Sequence, residues 1–427
     1  MYMASAQRWR RDGARRLRAV HSGPALGGCR QRLFLARESL DREGPHGDVA
    51  EARKEGFRPL PAWIRILPHQ FDTETSLLCG LVDEPHGPER DHALVCEAGV
   101  ALVPSIREHV GRGIDLEADA RIRVEVRREE AEAVVSAAWA AGVRYIDAAP
   151  YYGFGQAERC VGDAMRWVPR DEWMLSTKVG RLLRPRLTPT ETGEHRHPMP
   201  FDAVYDYSYD GIMRSFEDSL QRLGLARIDI LYVHDIGVMQ HGSAAHPRLM
   251  RTLRDSGYRA LEELRSAGTV RAIGIGVNER EVLLEALEWG DWDAFLLAGR
   301  YTLLEQAPLD DLLPKCLAAG TSIVVGGPLN SGILAGCDTW NYKTAPPEIV
   351  TRVNAIEAVC DAHRVPLAAA ALQFPLAHPA VAAIIPGPRN VEEFHANLGL
   401  LRHSIPARLW ADLRDAGLLH PGAPTPA

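Results

Sequence analysis

Residues 142–158, GVRYIDAAPYYGFGQAE, read as the end of a helix, a short buried strand over residues 143–147, and a loop carrying an acid and two tyrosines. An aspartate closing an apolar strand, five residues before a Tyr-Gly pair, builds a poor core and a reasonable site. Polar groups at strand ends face the loops where ligands bind. The plainer alternative is that Tyr151 and Tyr152 only cover the mouth of a barrel.

On either side of this stretch the chain alternates strand, loop and helix. Ala131, Val134, Val135, Ala138 and Trp139 recur at helical spacing, with Gly142 where that helix should stop. Residues 173–178 (WMLSTK) form a second strand ending in lysine, followed by a long loop containing prolines and histidines. Met213, Phe216, Leu220 and Leu223 mark an amphipathic helix, residues 228–234 (IDILYVH) a strand, and residues 258–267 a helix stopped by Gly268. Four more short apolar runs follow, at residues 272–277, 294–298, 322–326 and 382–386. These runs are continuous rather than alternating, as parallel strands buried on both faces require. Repeated β-α order suits a (β/α)₈ barrel or a doubly wound sheet. Three strands deliver Asp147, Lys178 and His234 at their C-terminal ends, and a barrel gathers such ends into one ring. About seven strands are readable from residue 125 on, which assigns the first to the N-terminal part.

Residues 1–123 lack sustained periodicity and read as an irregular extension, disordered or wrongly assigned as coding sequence, ahead of a barrel domain over residues 124–420 and a flexible tail over 421–427. Arg8, Arg10, Arg11, Arg15, Arg16 and Arg18 with the single acid Asp12 have the composition of a transit peptide or, more simply, of a solvated arm. The chain of 427 residues carries a net charge of -7, which gives no electrostatic footprint for nucleic acid. Its seven cysteines are scattered, with no C-x-x-C pair, so neither a disulfide framework nor a zinc site is expected, and a reducing cytoplasm fits. No apolar run reaches the length of a membrane span. His195 and His197 lack a third metal ligand at suitable spacing. The G-F-G at residues 153–155 is a poor dinucleotide fingerprint, because Glu158 stands at the third-glycine position. Tyr205, Tyr207 and Tyr209 read as packing around the rim, with the alternative that one of them reaches the substrate, Cys160, His378 and His395 as packing or surface residues, and Asp235 as support for the loop at His234.

An acid, a tyrosine, a lysine and a histidine at one rim make chemical sense together. A phenol ionises near pH 10 and is idle as a base at neutrality unless a cation stabilises its phenolate. Lys178 can supply that cation, Asp147 can hold it, and His234 can hydrogen-bond a substrate oxygen. With no activated nucleophile and no carboxylate pair, proton transfer coupled to hydride transfer is the chemistry that remains.

The blocks DAAPYYGFGQAE, LSTK, SYDGIMRSFEDSLQRLGLARIDILYVHD, GTVRAIGIGVN and IIPGPRNVEEFHANL, spread over residues 129–401, resemble the aldo-keto reductase superfamily. Within it they look most like the branch of aldose 1-dehydrogenases (D-threo-aldose, L-fucose) and pyridoxal 4-dehydrogenases. The resemblance implies a (β/α)₈ TIM barrel that binds a nicotinamide dinucleotide extended, without a Rossmann domain, and a catalytic tetrad of Asp147, Tyr152, Lys178 and His234. Tyr152 is the tyrosine before glycine, and Tyr151 would line the substrate pocket with His234. Gly326, Gly327, Pro328 and Leu329 stand where much of the superfamily has Tyr-Ser-Pro-Leu, and Ala298 replaces an expected glutamine. Asn278 and Gly326–Leu329 are then the candidates for the nicotinamide end, and Gly387, Arg389, Glu393 and Asn397 for the adenosine end. Relatives that use NADP offer a Lys-Ser pair and an arginine to the 2′-phosphate; the matching residues here are Gly387, Pro388 and Glu393. NAD is therefore expected to be preferred, with NADP possible through Arg389. The implied activity is oxidation of a cyclic hemiacetal, an aldose such as L-fucose or pyridoxal, to its lactone; general carbonyl reduction is an alternative within the class. An alternative of another class is a cofactor-binding regulatory subunit without catalysis. The partners expected are a small-molecule substrate and, at most, copies of the same chain in a small homo-oligomer.

Overall fold

The computed structural model describes residues 128–187 and 199–426. The proposed extension over residues 1–123, the first strand assigned to the N-terminal part and the His195/His197 pair lie outside them. Seven parallel strands form one curved sheet: β1 (Tyr145–Asp147), β2 (Met174–Val179), β5 (Ile230–His234), β6 (Ala272–Val277), β7 (Ala294–Ala298), β8 (Ser322–Gly326) and β11 (Val381–Ile385), neighbours in that order. Every adjacent pair is parallel. The expected apolar runs are thus the strands, displaced by at most two residues at an end.

A helix follows each strand and packs outside the sheet. The helix Val391–Leu401, which follows β11, rests against Arg128–Ala140, which precedes β1. The layer of helices therefore closes round the sheet, leaving a seam between β11 and β1 for which the described residues supply no strand. This is a nearly closed (β/α)₈ barrel. Its larger core lies between sheet and helices and a smaller one inside the sheet, where Tyr145, Ile230, Tyr232, Ala294, Leu296 and Val324 meet.

Two local features were not read from the sequence. The long loop after Lys178 opens and closes as an antiparallel hairpin, β3 (Arg181–Pro185) with β4 (Phe201–Tyr205). A second small ribbon, β9 (Thr339–Trp340) with β10 (Lys343–Thr344), lies beyond β8. Both ribbons are too short, and too mixed in their polarity, to show a strand period in sequence. Residues 421–426 form no helix or strand, yet Ala423 is buried and its carbonyl accepts from Arg414 Nη2 at 3.2 Å.

Buried polar groups pin the sheet from below. The carboxylate of Asp229, fully buried just before β5, accepts from the Leu175 backbone N–H at 2.8 Å and is ringed by Arg170, Arg227 and Arg271. Between helices the tolerance is smaller. A Cβ added at Gly162, in the helix Gln156–Met165, would stand 1.8 Å from the Leu223 carbonyl oxygen at the end of Tyr209–Leu223. Gly162→Ala must push these helices apart, which is expected to cost about 2 kcal/mol in chemical denaturation. An unchanged unfolding midpoint would mean the helices are free to slide there.

Candidate active site

Strand geometry selects which side chains enter the barrel. Residues i and i+2 share a face, so Asp147 on β1, Lys178 on β2 and His234 on β5 all enter the barrel near the C-terminal ends of their strands. Lys178 Nζ lies 2.5 Å from Asp147 Oδ2 and donates to the Ala148 carbonyl at 3.0 Å. Both side chains are about 2% exposed. Burial pushes the Asp147 carboxyl up against the pull of the ammonium, and the carboxylate, together with Tyr152, outweighs burial to hold Lys178 above its ordinary value. We read the pair as ionised, because two short donors converge on the carboxylate: Lys178 on Oδ2 and the Ser176 hydroxyl on Oδ1, each at 2.5 Å.

Tyr152 sits on the turn above them. Lys178 Nζ is 5.0 Å from the centre of its ring, and the His234 ring meets it edge-on at 5.8 Å. Burial raises the phenol's pKa, and the Lys178 ammonium is the largest influence pulling it back down. Tyr151 lies beside the same histidine, its ring centre 6.4 Å from that of His234. The structure thus brings Asp147, Tyr152, Lys178 and His234 together, with Tyr151 adjacent. The glycines of the G-F-G stretch belong to this tight turn, and Glu158 beyond it is buried, bonded to Thr177 Oγ1 at 2.7 Å and paired with Arg222.

Several neighbours were not anticipated. Arg181, 2% exposed, stacks over Tyr151 at 4.3 Å, pairs with Asp235 and donates to Gln240 Oε1 at 3.2 Å. Asp235 takes the left-handed conformation, φ 44°, and its Oδ2 comes within 3.5 Å of His234 Nε2. It therefore supports the His234 loop, as expected, with Arg181 holding it in turn. Tyr207 is buried and donates to the His234 carbonyl at 2.9 Å, which makes it a brace for this loop as well as rim packing. The pattern K-V-G-R carries no signal for an arginine that folds back beneath a tyrosine. Its partners arrive from elsewhere in the chain, Tyr151 after β1 and Asp235 after β5.

The remaining candidates end or follow the strands β6, β8 and β11. Asn278, just past β6, donates through Nδ2 to the Ala298 carbonyl at 3.0 Å and to the Tyr342 hydroxyl at 3.3 Å. Gly326 ends β8, and Gly327 follows with φ +54°, where a Cβ would meet the Gly299 nitrogen in ordinary contact at 3.8 Å. Pro328 is buried, and Gly387, Leu329 and Asn397 are half-buried. Asn390 caps the helix Val391–Leu401 by accepting from Glu393 N at 2.8 Å. Arg389 and Glu393 form an ion pair with each other, the Arg389 Nε donating at 2.8 Å and its backbone N–H at 2.9 Å.

A nearly closed parallel barrel with an Asp-Lys pair, a tyrosine and a histidine at the C-terminal mouth defines the class. The sequence profile of the aldo/keto reductase family matches residues 120–417, and the chain belongs to that family. It is an NAD(P)-dependent oxidoreductase. The chain is 44% identical over 309 residues to pyridoxal 4-dehydrogenase of Microbacterium luteolum, covering 69% of this chain and 90% of that protein. It is 40% identical over 308 residues to D-threo-aldose 1-dehydrogenase of a Pseudomonas species, covering 70% and 90%. The fold is similar to that of the aldo-keto reductase AKR11C1 from Bacillus halodurans in its holo form, with a TM-score of 0.57 at 23% identity over 76% of this chain and 93% of that one. Among the described residues no helix is long and apolar enough to cross a membrane.

Proposed function

We propose that this protein oxidises a small cyclic hemiacetal, an aldose at its anomeric carbon or pyridoxal in its closed form, to the corresponding lactone, with Tyr152 as the general base. The observation that carries the reading is the buried Asp147–Lys178 pair, 2.5 Å apart, set 5.0 Å beneath the ring of Tyr152 with His234 at its edge. Similarity to a pyridoxal 4-dehydrogenase and an aldose 1-dehydrogenase at 44% and 40% identity supports the substrate class. His234 donates to the substrate oxygen and orients it. The Tyr152 phenolate, stabilised by Lys178, takes the hydroxyl proton as the C–H bond breaks and the carbonyl of the lactone forms. Tyr151, backed by Arg181, walls the pocket.

The rim residues fit a nicotinamide dinucleotide. Gly327 leaves bare backbone next to Gly299, the half-buried Asn278 amide reaches the Ala298 carbonyl one residue before it, and the capped helix Val391–Leu401 offers its N-terminus at the other end. When bound, this cofactor supplies the hydride acceptor. Asn278 and Gly326–Leu329 would hold the nicotinamide end, and Gly387, Arg389, Glu393 and Asn397 the adenosine end. Mixing the purified protein with NAD and either pyridoxal or L-fucose, and following the absorbance of reduced nicotinamide, tests the reading. No reduction with either substrate, nor with a panel of aldoses, would remove it.

NAD is expected to be the better cofactor. Glu393 presents a carboxylate where a 2′-phosphate would lie, and Arg389, the nearby cation, is already committed to Glu393. Recruiting it to a phosphate requires breaking that pair. A discrimination of about tenfold in kcat/KM corresponds to about 1.4 kcal/mol, within reach of one such contact. Glu393→Arg should move the ratio toward NADP. A wild-type preference for NADP would show that another residue governs the choice.

A further inference from the structure

Two residues before Asp147, Lys178 and His234, the same three strands turn a second set of side chains into the barrel: Tyr145, Ser176 and Tyr232, with Ser176 in register with Asp147 and Tyr232 with Lys178. Around them the barrel's centre holds apolar side chains, among them Ile230, Leu296, Val324 and Ile385. All three hydroxyl residues are buried, with Ser176 and Tyr232 at 0% exposure and Tyr145 at 4%. They form a row. The Tyr232 and Tyr145 hydroxyls are 3.4 Å apart, Tyr145 and Ser176 are 2.9 Å apart, and Ser176 Oγ meets Asp147 Oδ1 at 2.5 Å.

The charge on Asp147 fixes the direction of the whole row. An ionised carboxylate can only accept, so the Ser176 hydrogen points at Oδ1. Ser176 must then accept from Tyr145, and Tyr145 from Tyr232. Three hydroxyl dipoles line up with their positive ends toward one buried carboxylate. Lys178 occupies the other oxygen, so without Ser176 the Oδ1 lone pairs would be left dry, a costly state for a charged group. A serine hydroxyl that rotated away would do the same, and Tyr145 prevents that rotation.

Building on the function proposed above, we propose that Ser176, Tyr145 and Tyr232 are positioning residues that keep Asp147 ionised, and through Asp147 and Lys178 set the acidity of Tyr152. The groups facing Asp147 are Lys178 and Ser176 on β2, Tyr145 on its own strand, Tyr232 on β5 and Tyr152 above. Those facing Tyr152 are Lys178, Asp147, His234, Asp235 and Tyr342. Removing the Ser176 hydroxyl destabilises the Asp147 carboxylate and raises its pKa. A carboxylate without that donor draws the Lys178 ammonium more strongly to itself, the phenolate loses part of its cationic neighbour's field, and the Tyr152 midpoint rises. In the oxidative direction, where phenolate is the active form, the ascending limb of the pH–kcat/KM profile moves to higher pH.

The test compares Ser176→Ala, Tyr145→Phe and Tyr232→Phe with the wild type. For Ser176→Ala the Asp147 titration is expected to move up by about one pH unit, the scale of one hydrogen bond to a charged group, and the limb to move in the same direction by a fraction of that. Tyr145→Phe should move it less and Tyr232→Phe least, while Ser176→Thr restores it. Tyr145→Phe keeps the ring and leaves no cavity, so it remains informative if Ser176→Ala folds poorly. Lowered Tm in all three variants with an unmoved profile would reduce the row to core packing and overturn the proposal. A second measurement needs no substrate: isotope-edited NMR of the aspartate carboxyls, with the Asp147 signal identified by its loss in Asp147→Asn. Its titration should move upward in Ser176→Ala and, less, in Tyr145→Phe. Absence of turnover in the wild type would count against the hemiacetal reading alone, whereas an unmoved Asp147 titration overturns the hydroxyl row whatever the substrate.

Discussion

Tyr152→Phe is expected to lower turnover by about 10²-fold or more, the usual contribution of a positioned acid or base, while NAD binding measured by calorimetry stays nearly unchanged. The substitution removes one oxygen and keeps the ring. That ring meets His234 edge-on and lies over Lys178, and phenylalanine preserves both contacts. Packing at the mouth should therefore survive, and the loss should fall on kcat. Burial holds the wild-type phenol high and Lys178 opposes this, so wild-type kcat/KM in oxidation should rise with pH. The variant should lose that dependence along with its rate. Near-wild-type turnover by Tyr152→Phe on pyridoxal and on an active aldose would remove Tyr152 from the reaction and leave His234 as the remaining acid or base at the mouth.

Asp147→Ala is expected to be the most damaging single change to stability near the site, at about 3–5 kcal/mol. This is the cost typical of leaving one partner of a buried ion pair alone. Lys178 Nζ would keep the Ala148 carbonyl as its partner among the described residues, too little for a buried ammonium. The lysine would then tend to give up its proton, and activity would fall with stability. Asp147→Asn should separate the two effects: an amide still hydrogen-bonds Ser176 and Lys178, so the loss of stability is smaller. The phenolate nevertheless loses its cation, and the pH–rate limb moves up. Denaturant titration of both variants checks this. A loss below about 1 kcal/mol for Asp147→Ala, the scale of an exposed pair, would mean that the site admits water to the lysine and that the pair is not buried in solution.

The barrel was legible because its strands obey one constraint. Strands covered on both faces must be apolar throughout, so runs such as AIGIGV and SIVVG announce themselves, and the polar residue ending a run stands out against them. Asp147, Lys178 and His234 were found in that way, and Tyr152 by its place before glycine in a motif. The row beneath them was hidden by the same constraint. Tyr145 and Tyr232 count as ordinary aromatic members of apolar strands, and a lone serine in LSTK carries no period. Arg181 was hidden for a different reason, since it lies in a hairpin too short to show a pattern and acts only after the chain has folded back.

By itself, then, the sequence determined the order of strands and helices, the ring of polar strand ends, and through its motifs the family. These depend on periodicity and spacing along the chain, which local chemistry dictates. Only the tertiary structure decided which hydroxyl reaches which oxygen: Ser176 to Asp147, Tyr145 to Ser176, Arg181 to Asp235, Arg389 to Glu393. Hydrogen bonds and ion pairs act over about 3 Å, and the partners here, apart from Arg389 and Glu393, lie 29 to 54 residues apart. Their meeting is set by strand register and barrel curvature, and neither is written in any one stretch of the chain.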